Sequence, residues 1–254
     1  MSFVLFECAM DTIFKHKSIR QFSDRMPDKN LINKLLEAAV RASNTGNMQV
    51  YSIVVTTDEE LRKKLAECHF NQPASKAPLH VTFCVDIYRF SKWCRLRDAE
   101  PGYDNFLWFL SGATDALLAS QNFSLEAEHN GLGICYLGTC LYNARKIGKI
   151  LNLPKGVIPV ASVVAGYPDV NPQLTDRLPL EAVVHYETYH DYTADDINRL
   201  WAERENSDET KQLLEINQLP NLAQIFTQKR YTEKDNIAIS ENLISLLKEH
   251  GFIP

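Results

Sequence analysis

The sequence has little of what would assign it to a specialised class. No apolar run reaches the roughly 18 residues of a membrane-spanning helix, so no membrane partner is expected. Positive charge is not in excess: 27 Lys and Arg against 32 Asp and Glu give a formal net charge of −5. That is the wrong sign for a protein organised around nucleic acid or an anionic lipid surface. The opening MSFVLFECAM lacks a basic stretch and its apolar run breaks at Glu7, so no secretory signal is read and a cytoplasmic location is expected. Six cysteines (Cys8, Cys68, Cys84, Cys94, Cys135, Cys140) are scattered with no CxxC, which predicts reduced thiols. Cys84, within VTFCVD, reads as a buried inert thiol. A zinc site needs clustered Cys or His. The nearest His pair, His185 and His190, would fall on opposite faces of a strand, and no metal is expected.

Several catalytic motifs are also missing. GxxxxGK[ST], GxSxG and HExxH do not occur, which excludes a P-loop ATPase and leaves triad hydrolases and zinc proteases without support. GLGICYLG (131–138) has its glycines spaced GxGxxxxG and follows a helix, whereas a dinucleotide fingerprint must follow a strand.

What is present is an ordinary globular composition, 45% hydrophobic and 23% charged over 254 residues, enough chain for a core without covalent staples. A short helix is expected from Met10 to His16. Asp28 is placed to cap LINKLLEAAVRA, whose Leu31, Ile32, Leu35, Leu36, Ala39 and Val40 share one face. That helix should end in the loop Ser43-Asn44-Thr45-Gly46-Asn47. QVYSIVVTT (49–57), LHVTFCVDI (79–87), ICYL (134–137), VIPVASVVAGY (157–167) and EAVVHYETY (181–189) read as strands. Asp58 should cap a helix to about Glu67, and Asn143 to Leu151 should form another. A long helix is expected over about 105–130, closed by Gly131. Its stripe of Gly112, Ala113, Ala116 and Ala119 suits either a closely approaching or subunit-facing helix or plain core packing. Past Thr193 the chain reads as polar and helical, ending in a helix over 234–250. Strands and helices do not alternate strictly, so an α+β class is expected. The expected organisation is one domain, with a core at about 10–190 and a helical C-terminal extension at about 191–254.

Three polar patches sit at the ends of these elements. His16-Lys17-Ser18-Ile19-Arg20-Gln21-Phe22 is rich in donors suited to a phosphate, and equally suits a solvated basic turn. Asn44-Thr45-Gly46-Asn47-Met48-Gln49 has amides and a hydroxyl that suit a heteroaromatic edge or simply a capped loop. Gly166-Tyr167-Pro168, followed by Arg177, suits a turn and a surface arginine. Arg89 to Arg97, with Phe90 and Trp93, reads as a lid over an acceptor or as an exposed loop balanced by Asp98, Glu100 and Asp104.

In this order the patches resemble the flavin-dependent nitroreductase / NAD(P)H:flavin oxidoreductase family, and its larger NADPH-preferring subgroup. The resemblance rests on the (R/H)(R/K)SxRxF element at His16 to Phe22, the N-x-Q ending at Asn47 to Gln49 and Ala77-Pro78. It also rests on the GLGxxxxG stretch from Gly131 to Gly138, and on Pro159 with Gly166-Tyr167-Pro168. It implies a mixed, mainly antiparallel sheet flanked by helices, a homodimer, and non-covalent FMN reduced by NADPH or NADH. By position it implies His16, Lys17, Ser18 and Arg177 at the phosphate and ribityl chain, Arg20 at N1 and O2, and Asn71 near the pyrimidine edge. Asn44, Thr45 and Asn47 would come from the partner subunit. Tyr136, Leu137, Gly138 and Thr139 would run along the ring, with a backbone N–H facing N5. Lys229 and Arg230 are the nearest candidates for the nucleotide phosphate. Close relatives often carry lysine where this chain has Thr175 and arginine where it has Leu141. The implied reaction is ping-pong hydride transfer through flavin N5 to nitroaromatics, quinones or flavins, with no catalytic protein acid or base. A non-catalytic flavin-binding protein, or a dehalogenase or flavin-destroying enzyme of the same fold, are the alternatives.

Overall fold

Every residue of the strand Leu79–Asp86 is buried in the computed structural model, which describes residues 9–254. The segment MSFVLFEC, which carries Cys8 and most of the stretch used to judge a secretory signal, lies outside the described residues. Leu79–Asp86 (β2) lies between β1 (Tyr51–Thr56) and β4 (Val157–Gly166), and β3 (Gly133–Tyr136) closes the far edge, giving the order β1-β2-β4-β3. All three strand pairings are antiparallel, and the parallel contact found is an isolated bridge between Ser18 and Ile134.

Side chains alternate across a strand, and β2 uses both faces. Leu79, Val81, Phe83 and Val85 enter the main core with Leu35 and Ala39 of α2 (Lys29–Ala39; α1 is Ala9–Phe14). Ala116, Ala119, Phe123 and Ala127 join them from the long helix α5 (Phe106–His129), which follows α3 (Glu59–Cys68) and α4 (Tyr88–Arg95). The alternate residues His80, Thr82 and Cys84 are also buried. A satellite cluster forms from Leu65 and Cys68 of α3, Cys140, and Ile147 of α6 (Ala144–Ile150). Asp28 and Asp58 cap α2 and α3 as the sequence predicts, each accepting at 2.9 Å from the third residue on. Gly131, at φ 78°, follows α5.

Of the two readings of Arg89–Arg97, lid or exposed loop, the exposed loop does not hold for most of the segment, because Tyr88–Arg95 is helical. Asp86 Oδ1 accepts from the Arg89 N–H at 2.9 Å, and the Arg89 guanidinium donates to the carbonyls of Gln49 and Tyr51. These bonds fix the first turn to β1 and β2.

The chain divides into two compact units, one running to Leu174 and taking in Glu241–Pro254, the other Thr175–Ser240. The second holds α7 (Ala194–Glu205), α8 (Asp208–Asn217), α9 (Leu222–Ile225), a π-helical turn at Phe226–Arg230 and the start of α10 (Glu233–His250). A reciprocal box between Thr193 and Asp196 starts α7. The expected strand at 181–189 does not form. The amides of Ala182, Val183 and Val184 turn back onto the carbonyls of Pro179 and Leu180, so a local turn takes the bonds a ladder would need. His185 and His190 accordingly do not sit on opposite strand faces; their rings are 6.3 Å apart and the His190 N–H donates to His185 Nδ1. Among the described residues no helix is long and apolar enough to cross a membrane.

Gly112 is where α5 touches the sheet. A Cβ there would stand 2.8 Å from the Val50 carbonyl oxygen and 2.8 Å from Val85 Cγ1. Overpacking of this kind costs about 1–3 kcal/mol, so Gly112→Val should lower the thermal midpoint by about 2–10 °C, measured by circular dichroism.

Candidate functional site

The donor-rich segment after α1 is laid along the sheet edge. The Ile19 N–H donates to the Ile134 carbonyl at 2.8 Å, Ser23 N–H to Tyr167 O at 2.9 Å, and Asp169 N–H to Gln21 O at 3.1 Å. Phe22 bridges to Pro168, so His16–Ser23 forms a strap from β3 to the end of β4. Gly133 makes this seating possible. A Cβ on it would lie 2.4 Å from Ile19 Cγ1 and 2.7 Å from Ile19 Cβ.

Pinning Ile19 inward turns its polar neighbours to the rim. Lys17 donates to Asn171 Oδ1 and to Pro172 O. It lines a cavity of about 460 Å³ with Lys15, Glu128, Gly131, Gly133 and Asn171. The carboxylates of Asp11 and Asp169 share this lining. His16 Nδ1 lies 2.8 Å from a Glu128 carboxylate oxygen, and burial pushes the Glu128 carboxyl up against the opposing pull of His16. Ser18 is half-buried against Ile134, and Arg20 is exposed, with its charge felt at the buried Cys135 thiol.

The end of β3 follows immediately. The Tyr136 hydroxyl bonds inward to Ser120 Oγ at 2.8 Å, and the Leu137 N–H donates to Ser162 O at 2.9 Å. Gly138 is exposed, with no heavy atom within 4 Å of where a Cβ would be. Thr139 Oγ1 is held at 2.8 Å by Nδ1 of the buried His69. His16, Lys17, Ser18, Arg20 and Tyr136–Thr139 are thus gathered along one edge of the sheet.

Other predicted residues stand elsewhere in the same unit. Asn44, Thr45 and Asn47 form a turn in which the Thr45 N–H and hydroxyl both donate to Asp115 Oδ1, at 2.9 and 3.1 Å. Asn71, left-handed at φ 49°, lines a separate hollow of about 690 Å³ with Asp24, Arg62, Ser75 and Lys76. In the second unit, Arg177 is exposed and donates to its neighbours' carbonyls, Thr175 and Asp176. There too, Lys229 and Arg230 end the π-helical turn, with Arg230 over the Phe226 ring at 5.4 Å.

Comparison with known proteins fixes the relationship. The chain is 34% identical to the FMN reductase (NADPH) of Bacillus subtilis strain 168 over 189 residues, 73% of this chain and 76% of that one. The nitroreductase family model also matches residues 13–107. The chain belongs to the nitroreductase family. It superposes on a Bacteroides fragilis NCTC 9343 crystal structure, described as a candidate oxidoreductase, with a TM-score of 0.95 and 49% identity, covering 96% of this chain and all of that one. The NADPH:FMN oxidoreductase of Vibrio harveyi, solved with NAD+, gives a TM-score of 0.81 at 29% identity, with 96% and 98% covered.

Among the residues of this nitroreductase that sequence reasoning missed, Asp115 left a signal: a carboxylate on the same face as Gly112, Ala116 and Ala119. His69 and Glu128 left none, because their partners are 70 and 112 residues away in the chain.

His69 lies 5.3 Å, ring to ring, from the buried His80. Burial lowers His69 from 6.5 to about 4 and His80 to about 3. Both bind a proton more readily when unfolded, so their stabilising contribution is complete above about pH 6.5 and drains away as pH falls toward those values. Between pH 7.5 and pH 5 the loss should be on the order of 2 kcal/mol for each histidine. Urea unfolding at the two pH values measures it, and His80→Leu should flatten the slope.

Proposed function

We propose that this nitroreductase is an FMN-dependent oxidoreductase that uses NAD(P)H to reduce small acceptors of the nitroaromatic, quinone or flavin type. The observation that carries the reading is the strap: Lys17, Ser18 and Arg20 are fixed along β3, and the chain emerging from that strand has open space at Gly138. FMN has an anionic phosphate, a hydroxylated chain and a planar ring, and the edge offers cations, a hydroxyl and open backbone in the same order. When bound, FMN supplies two-electron chemistry, accepting hydride from the nicotinamide and passing electrons to an acceptor.

The protein's own residues then have positional and electrostatic work. Lys17 and His16, with Ser18, would hold the phosphate and ribityl chain. Among the described residues Lys17 donates to two neutral oxygens, Asn171 Oδ1 and Pro172 O, and a phosphate would outcompete them because both partners are charged. Arg20 would face the ring's N1 and O2, where reduction places negative charge, and its planar guanidinium suits that edge. Tyr136–Thr139 would border the ring, and Asn71 its pyrimidine edge. Lys229 and Arg230 would meet the phosphate of NADPH.

The active unit in this reading is a homodimer. α5 leaves Leu107, Leu110, Leu117 and Leu118 between 44% and 67% exposed, at helical spacing along one side, and an apolar stripe of that kind marks a partner surface. Asn44, Thr45 and Asn47 would complete the flavin site of the other subunit. The described cysteines are all unpaired thiols, which suits a reducing, cytoplasmic setting.

The purified protein should be yellow, bleach anaerobically on addition of NADPH and recover its colour with a quinone. A colourless protein that cannot be reconstituted with FMN contradicts the reading, as does bound flavin that no nicotinamide nucleotide bleaches. Lys17→Ala should weaken FMN binding about 10- to 100-fold, the worth of one or two charge-assisted bonds, measured by recovery of flavin fluorescence on dilution. Arg20→Ala should lower the flavin midpoint potential in a redox titration.

A further inference from the structure

The Asn44–Asn47 turn is poorly equipped to hold its own shape. Gly46 (φ 58°), Asn47 (φ 56°) and Gln49 (φ 51°) are all left-handed, a conformation that costs free energy at each residue other than glycine. Within the turn, the Met48 N–H reaches Thr45 O at 3.0 Å and the Gln49 N–H reaches Asn44 Oδ1 at 3.2 Å. The anchor comes from 70 residues further on. Asp115 is 1% exposed, and its Oδ1 takes both the N–H and the hydroxyl of Thr45.

A carboxylate in that position needs a reason. It sits on the inward side of α5 with Gly112, Ala116 and Ala119, where an apolar side chain would avoid the desolvation cost of a buried charge. Its Oδ2 is buried and finds no hydrogen-bond partner among the described residues. At the start of β1, burial pushes the Tyr51 phenol up; a hydrogen bond with the Gln49 side chain opposes this, and the Asp115 charge adds to it. The outward side of α5 is the exposed stripe of Leu107, Leu110, Leu117 and Leu118. The turn therefore hangs from the same helix that presents the apolar surface.

We propose that Asp115 is a positioning residue for the flavin site: by holding Thr45 it registers the Asn44–Asn47 turn to α5, and so sets where the turn meets the cofactor held by a second copy of the chain. The inference rests on the FMN and dimer reading above. It assigns to a buried residue, in contact with neither cofactor nor substrate, control over cofactor affinity through the helix that joins the subunits.

The test uses the full-length holoprotein and three variants, with FMN affinity read by fluorescence, subunit association by sedimentation, and thermal midpoint in parallel. Asp115→Leu should remain dimeric and bind FMN about 10- to 100-fold more weakly, the worth of the two Thr45 bonds. Asp115→Asn, whose amide oxygen still accepts from Thr45, should recover most of that loss, which general loosening of the core would not permit. Thr45→Val removes only the hydroxyl at an exposed position, so it keeps the question open to test should Asp115→Leu fail to fold. It should weaken FMN about 3- to 10-fold, the worth of a single bond. Wild type that binds FMN while the folded variants bind it equally well overturns the inference alone. Wild type that binds no FMN overturns the functional reading and the inference with it.

Discussion

A missing β-carbon at Gly133 lets the N-terminal strap close on β3. With no side chain there, Ile19 sits within the space a Cβ would need, its N–H reaches Ile134 O at 2.8 Å, and only 4% of it remains exposed. Once Ile19 is seated, its neighbours have no choice of direction. Ser18 pairs at the strand edge, Lys17 turns to the cavity rim, and Arg20 is left in solvent beside β3. The cations owe their arrangement to an apolar contact, since hydrophobic seating is insensitive to the small net charge around it.

The electrostatics of the edge follow from that geometry. The protein has a net charge of −5, and the cavity beside Lys17 includes carboxylates from Asp11, Glu128 and Asp169. The anion binding proposed there could not come from overall charge. In the proposed reading it would depend on local pairing, in which His16 bonds to Glu128 while the Lys17 ammonium donates to Asn171 Oδ1 and Pro172 O. Such a site is specific because a few donors are fixed in place, and displacing the strap would cost more than removing any single charge.

Much of this was legible in the sequence, for identifiable reasons. Four strands, the Asp28 and Asp58 caps and the turn at Gly131 are local events, and apolar spacing and capping residues announce them. The family resemblance was readable because five short motifs fall in register along the chain, although none is informative alone; that His16–Ser23 lies along β3 was not. The reading failed where tertiary structure decides. Residues 181–189 have strand composition but no partner strand, and Pro179 starts a turn that uses their amides. Arg89–Arg97 looks like a loop by charge, yet Asp86 and two β1-side carbonyls hold its start in a helix. Asp115, His69 and Glu128 act on partners 70 or more residues away, a separation no window of local pattern spans.

The claim on which the account turns is that seating of the strap against Gly133 creates the cofactor edge. Gly133→Ala addresses it directly, because the added methyl would occupy the space now held by Ile19 while leaving every proposed binding side chain in the sequence. The dissociation constant of FMN, measured on protein whose circular dichroism matches wild type, should rise by about tenfold or more, since a shifted strap loses at least one charge-assisted bond. An unchanged dissociation constant would contradict the account.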